Sequence, residues 1–241
     1  MTSPSKPILA LSVGIVGHRP NRLPQGTSSV AARIDEVLML LKRTAEETRR
    51  RHPEFADAPA SLILVSALAE GADRIAAHSA LRSGFAVDVV LPFAVDDYEK
   101  DFIDPDSRVD YRRLIDEARQ VVVLPGDYDA EHRDYDPAGR FVLDAADIIL
   151  GVWDGGPSGG RGGTTDLLER AASTGIPIIH VDATGRAPTR LLWAGLAGHE
   201  PGAADLAVIP SAPLAEVVVP LVEAIAQAAI GDAAEAGRDR S

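Results

Sequence analysis

Ile148-Ile-Leu-Gly-Val-Trp-Asp-Gly-Gly-Pro-Ser-Gly-Gly-Arg-Gly-Gly-Thr-Thr-Asp-Leu-Leu-Glu169 is the stretch on which the fold turns. It opens as an apolar run, Ile148 to Trp153, with the length and β-branched content of a buried strand. It becomes glycine-rich over residues 155–163, then resumes with Leu167, Leu168, Ala171 and Ala172 on one face of a helix. Strand, glycine loop and helix together offer an anion a row of backbone N–H groups and a positive helix end. Glycine matters because a Cβ would hold a phosphate away from the backbone. Thr164 and Thr165 are placed to cap the helix and to donate hydroxyls to a ligand. The alternative for the same residues is a flexible structural turn, since a glycine loop by itself is weak evidence.

Outward from that stretch the pattern alternates. Residues 8–17 form a first strand ending in Gly17-His18-Arg19-Pro20, and Ser28 or Ser29 caps a long helix over residues 30–50. Residues 61–66, 85–91, 120–124 and 176–181 supply further strands. Residues 67–73 turn into a helix running to about residue 82, and further helices are expected over residues 111–118, 137–146 and 214–230. The acidic stretch containing Asp96, Asp97, Asp101, Asp104 and Asp106 fits no calcium loop and is expected to be solvated surface. Residues 126–136 make a long polar loop with Tyr128 and Tyr135, and residues 186–202 carry no clear period. Residues 231–241 are a polar tail expected to be disordered, which leaves residues 1–230 as a single domain.

Such alternation predicts an α/β, Rossmann-like, doubly wound fold: a mostly parallel sheet of about six strands with helices on both faces. The first and fourth strands are expected to be adjacent at the switch point, with the ligand at the rim formed by the strands' C-terminal ends. Gly17, His18, Arg19, Ser66, Asp154 and Gly155 fall at those ends. Arg19 beside glycine backbone is the charge a phosphate needs, its other role being a surface ion pair. His18 has the alternatives of acid–base group and hydrogen-bonded structural residue. Asp73 falls where a first helical turn favours an acid. Asp166 and Arg170 have the spacing of a helix-stabilising pair.

Composition narrows the chemistry. There is no cysteine, so disulfides, thiol catalysis and cysteine zinc sites are excluded. The six histidines show no paired metal-ligand spacing, so no metal and no cofactor are expected. Lys and Arg total 24 against 36 Asp and Glu, a net charge of −12. That balance opposes non-specific contact with nucleic acid, which is not expected as a partner. No 18-residue apolar run is apparent and the N-terminus lacks a signal-peptide pattern, so the expectation is a cytoplasmic protein with no membrane partner. A homo-oligomer is left open.

Three segments together resemble the SLOG superfamily of Rossmann-like proteins, which includes lonely-guy phosphoribohydrolases, DNA-processing proteins and ligand-sensing domains. Val16-Gly17-His18-Arg19 looks like the family's first-strand G-H-R. Ser66-Ala-Leu-Ala-Glu-Gly71-Ala72-Asp73 is similar to its S-G-x-A-x-G-A-D, with Ala67 where a glycine is usual. Arg140-Phe-Val-Leu-Asp144-Ala-Ala-Asp147, then Trp153-Asp154-Gly155 and Gly162-Gly163-Thr164, resembles the R-x-x-x-D-x-S-D, V-W-D-G and G-G-T run of small members. The resemblance implies a nucleotide or ADP-ribose-like small molecule at the rim, with Gly162, Gly163 and Thr164 around a phosphate, and a ligand sensor as the role. The phosphoribohydrolases place a glutamate three residues after the threonine; here that position is Leu167 or Leu168. The rival expectation is an N-glycosidase that releases a base from nucleoside monophosphates, with Asp154 or Glu169 as the acid. No catalytic residue is assigned.

Overall fold

The computed structural model describes residues 6–24, 26–130, 133–157, 160–197 and 206–238. Parts of the expected glycine loop (158–159), polar loop (131–132), unassigned stretch (198–202) and tail (239–241) lie outside the described residues. Among those described, eight strands make one sheet: β1 (Ala10–Gly17), β2 (Ser61–Ser66), β3 (Ala86–Leu91), β4 (Gln120–Val123), β5 (Ile148–Trp153), β6 (Ile178–Asp182), β7 (Arg190–Leu192) and β8 (Ser211–Pro213). Their order is β4-β3-β2-β1-β5-β6-β7-β8. All pairings from β4 to β6 are parallel, and β7 and β8 add two antiparallel ones.

Parallel strands need crossovers, and these are helical: α1 (Ser28–Arg51), α2 (Ala72–Ser83), α3 (Val95–Glu99), α4 (Pro105–Glu117), α5 (Asp136–Asp144), α6 (Thr164–Ser173) and α7 (Leu214–Arg238). The pleat sends alternate side chains to opposite faces. Leu11, Val13 and Ile15 of β1 enter the core shared with α1, α2 and α7, while Val16 enters the core shared with α5 and α6. Burial on both faces explains why β5 is apolar at every position from Ile148 to Trp153. The fold is α/β with a mostly parallel sheet and helices on both faces.

Three expectations are corrected. The strand beside β1 at the switch point is the fifth, not the fourth: Gly14 pairs with Ile149, whereas Asp88 of β3 pairs with Gln120 of β4. The reason is burial. A strand next to β1 must be apolar on both faces, which β5 is; β4 is short, largely exposed and suited to an edge. The sheet also has eight strands rather than six, because β7 and β8 are three residues each, too short to show a period. Finally, α7 continues to Arg238, past residue 231 where the sequence reading begins a tail.

Within α7, Leu214–Gly231 is an 18-residue window of mean hydropathy 1.7, apolar enough by composition to cross a membrane. This corrects the expectation that no 18-residue apolar run exists, although Glu216, Pro220 and Glu223 lie within the window. Val218, Leu221, Val222 and Ala226 pack in the core, and Glu223 bonds to His52 (2.6 Å) and Arg51 (2.7 Å) at the end of α1.

Candidate functional site

Between β1 and β5 the chain leaves the sheet in opposite directions, which opens a crevice at the C-terminal ends of the strands. A cavity of about 150 Å³ lies there. Ile15 and Val16 of β1, Pro92 after β3, Val142 of α5 and Leu167 of α6 give it apolar walls. Its polar groups are Arg19, Asp73, Tyr98, Tyr135 and Thr164. Ligand pockets of this build, apolar with a few convergent polar groups, usually run from roughly 300 to 1,000 Å³. A space of this size suits a sugar and a phosphate better than a whole nucleotide.

Gly71 sets the geometry of one side. Its φ is +98°, and a Cβ there would lie 2.5 Å from the His18 carbonyl oxygen. Only glycine lets the backbone pass so close. The Ala72 N–H then donates to that carbonyl at 3.1 Å, which docks the start of α2 on the end of β1. Asp73, in the first turn of α2, thereby comes to face Arg19 across the cavity. Asp73 is 6% exposed, and the Ala69 N–H approaches its Oδ2 at 3.4 Å. Burial pushes its carboxyl up to about 7, against the downward pull of the Arg19 charge. Arg19 itself forms no side-chain hydrogen bond or ion pair with a described residue, so its guanidinium is free to meet an anion.

The other side is the glycine loop. Gly162 has φ +73° and lies against the Asp136 backbone, where a Cβ would be 3.1 Å away. Its N–H donates to Asp166 Oδ2 at 2.9 Å. Leu167 is the residue whose N–H returns to Gly163 O, at 3.0 Å, so the N–H groups of Thr164, Thr165 and Asp166 precede the helical ladder. Those donors and the helix dipole put a positive end beside the cavity. The loop is anchored from beneath: Trp153 Nε1 donates to Thr165 Oγ1 (2.9 Å) and to Gly156 O (3.0 Å).

Of the residues singled out from sequence, Gly17, Arg19, Asp73, Gly162, Gly163 and Thr164 line one cavity. The remaining six support it instead. His18 is buried with its Nε2 2.9 Å from Asp154 Oδ1, and Arg22 Nη2 reaches the same oxygen at 2.7 Å. Burial works to raise the Asp154 carboxyl, but the Gly156 N–H, His18 and Arg22 together outweigh it and hold it at about 2. Burial in turn lowers His18, against the pull of Asp154. The Asp154 N–H also reaches His18 Nε2, at 3.2 Å. This trio ties β1 to β5 and is not part of the cavity lining. Ser66 is sealed, its Oγ accepting from the Leu68 N–H at 3.0 Å. Gly71 docks α2, Gly155 turns the chain at φ +78°, and Thr165 anchors the loop.

Sequence reasoning missed Tyr98 and Tyr135 as lining residues. The acidic stretch around residues 96–106, expected to be surface, instead forms α3 and the start of α4, and it buries Tyr98 and Phe102. The available signal was the i, i+4 spacing of Tyr98 and Phe102 amid the acids.

No protein-family model and no curated protein matches the sequence. Among solved structures, the chain is similar to DNA processing protein A from Streptococcus pneumoniae, with 17% identity over 70% of this chain and a TM-score of 0.45. The match spans 50% of that protein's length. It is also similar to DNA processing protein A from Helicobacter pylori, described in its single-stranded DNA binding mode: 18% identity, 73% of this chain, 69% of that one, TM-score 0.40. A third similar structure is TM1055, at 16% identity, 70% of this chain, 72% of that one and TM-score 0.39. The fold itself rests on this chain's own strand order. The exclusion of nucleic acid drawn from net charge is corrected by these likenesses, since one similar structure is described binding single-stranded DNA. A net charge of −12 is a property of the whole chain, and a crevice with a free arginine and a helix N-terminus has a local field of its own.

Proposed function

We propose that the rim cavity binds the sugar-phosphate end of a nucleotide or nucleotide-derived ligand, ADP-ribose-like molecules included, in the manner of a SLOG-type ligand sensor acting in the cytoplasm. One observation carries the reading: the unpaired Arg19 guanidinium and the N-terminus of α6 converge on the same cavity. A phosphate there accepts from the free N–H groups ahead of the helical ladder and forms a charge-assisted bond with Arg19. The apolar walls take the sugar's C–H surfaces, and the base extends past the mouth.

Arg19→Ala is the direct test. Loss of one charge-assisted hydrogen bond is expected to weaken nucleoside monophosphate binding by about 1.5–3 kcal/mol, read by calorimetry against a mono- and diphosphate panel. Unchanged affinity across the panel places the ligand elsewhere.

The rival N-glycosidase reading loses both of its expected acids. Asp154 is locked in its ion pairs outside the cavity, and Glu169 is exposed on α6. Asp73 is the carboxylate that lines the cavity among the described residues. Incubation with each common nucleoside monophosphate, followed by chromatography of free base, is expected to show no turnover near the ~10 s⁻¹ typical of enzymes. Turnover at that level, abolished by Asp73→Asn, makes the hydrolase reading the correct one.

A further inference from the structure

Tyr98 is the anomaly of the cavity. Of the chain's four tyrosines, three have hydroxyl partners: Tyr111 donates to Val95 O (3.3 Å), and Tyr128 (3.1 Å) and Tyr135 (2.8 Å) donate to Asp101. Tyr98, only 1% exposed, has no hydrogen-bond partner for its hydroxyl among the described residues. Nor is that oxygen sealed in the protein: the sealed and partnerless side-chain atoms are Arg74 Nη2, Asp136 Oδ1 and Arg170 Nε. The hydroxyl therefore opens on the cavity that Tyr98 lines. Its ring is held edge-on by Phe93, Phe102 and Tyr111, with centroids 6.3, 5.1 and 6.0 Å away, so the direction of the hydroxyl is fixed. The charges of Arg19 and Asp73 both act on it, and all three groups line the same cavity.

A buried hydroxyl left without a partner costs stability, and a fold keeps such a group where a ligand completes it; the Asp73 carboxyl beside it accepts from the Ala69 N–H and has lone pairs to spare. The missing partner must both donate and accept, must carry no negative charge toward Asp73, and must fit beside a phosphate in about 150 Å³. We infer that Tyr98 and Asp73 recognise the vicinal hydroxyls of a ribose, the 3-hydroxyl donating to the carboxyl and the 2-hydroxyl accepting from the tyrosine, so that the cavity selects ribose over 2-deoxyribose. The inference rests on the phosphate reading above and adds the sugar class to it.

The test uses the full chain, its Tyr98→Phe variant and three probes: inorganic phosphate, ribose 5-phosphate and 2-deoxyribose 5-phosphate. The wild type is expected to bind the ribose probe at least about tenfold tighter than the deoxy probe, because the deoxy sugar leaves a buried polar group unpaired. Tyr98→Phe is expected to bring that ratio close to one while leaving affinity for the deoxy probe within about twofold. Without ligand, the variant is expected to melt no lower than the wild type, since it loses only a partnerless hydroxyl. Equal binding of both sugars by the wild type, or an equal loss for both in the variant, overturns the sugar inference and leaves the phosphate site standing. A lower melting temperature in the variant makes the hydroxyl structural and overturns it as well. Failure of all three probes to bind overturns the phosphate reading, and this inference with it.

Discussion

Asp73→Asn is expected to make the protein more stable at pH 8 by an amount on the order of 4 kcal/mol, and to change little at pH 4. The sign follows from the direction of the shift. Burial raises the folded-state carboxyl to about 7, above the ~3.9 of an unfolded chain, so the folded state holds its proton more tightly. Stability from that difference is fully present below pH ~4 and is lost as pH rises to about 7, at roughly 1.4 kcal/mol per unit. Asparagine carries no proton to lose, so its stability curve lacks this fall. Urea unfolding at half-unit steps from pH 4 to 8 measures it. A wild-type curve flat over that range refutes the assignment. A carboxyl retained at such a cost, in the wall of a cleft, is the trade expected of a functional group.

Gly71→Ala is expected to destabilise the fold by about 3 kcal/mol or more. An alanine Cβ would stand 2.5 Å from a backbone carbonyl, at a φ of +98° that L-residues rarely adopt, and neither strain can be relieved by turning a side chain. For a chain of this size that corresponds to a drop in Tm of roughly 6–12 °C. Relief requires α2 to back away from β1, which separates Asp73 from Arg19. Surviving folded protein is therefore expected to bind nucleotide more weakly than the wild type. A Tm within 2 °C of the wild type, where ~1 kcal/mol or less is lost, means that the α2–β1 junction is more compliant than its spacing implies.

Much of this was legible in the sequence because buried parallel strands are apolar on both faces. Residues 148–153 and 61–66 declare themselves as strands, and the glycine loop with its following helix is placed within a residue. The rest failed for particular reasons. Strand order is a long-range property, and nothing local to Gln120 or Ile148 says which of β4 and β5 adjoins β1 except the degree of burial each tolerates. Gly17, Arg19 and the loop line the cavity because they sit at strand ends. His18 and Asp154 sit at strand ends too, but their side chains turn to each other, and sequence carries no sign of which way a rim residue points. Tyr98 was hidden by composition: aspartates on the outer side of α3 mask an aromatic on the inner side.

The anchoring of the glycine loop by Trp153 gives the protein an optical reporter. The chain has two tryptophans, and they bracket α6. Trp153 bonds to Thr165 in its first turn, and Trp193 donates to Gly175 O, at 3.0 Å, just past its last. An anion that settles on the N-terminus of α6 is expected to change the surroundings of Trp153 first, through its bond to Thr165. A change in their combined emission on titration with phosphate is the expected label-free readout, and replacing either with phenylalanine separates what happens at the loop from what reaches the far end of the helix.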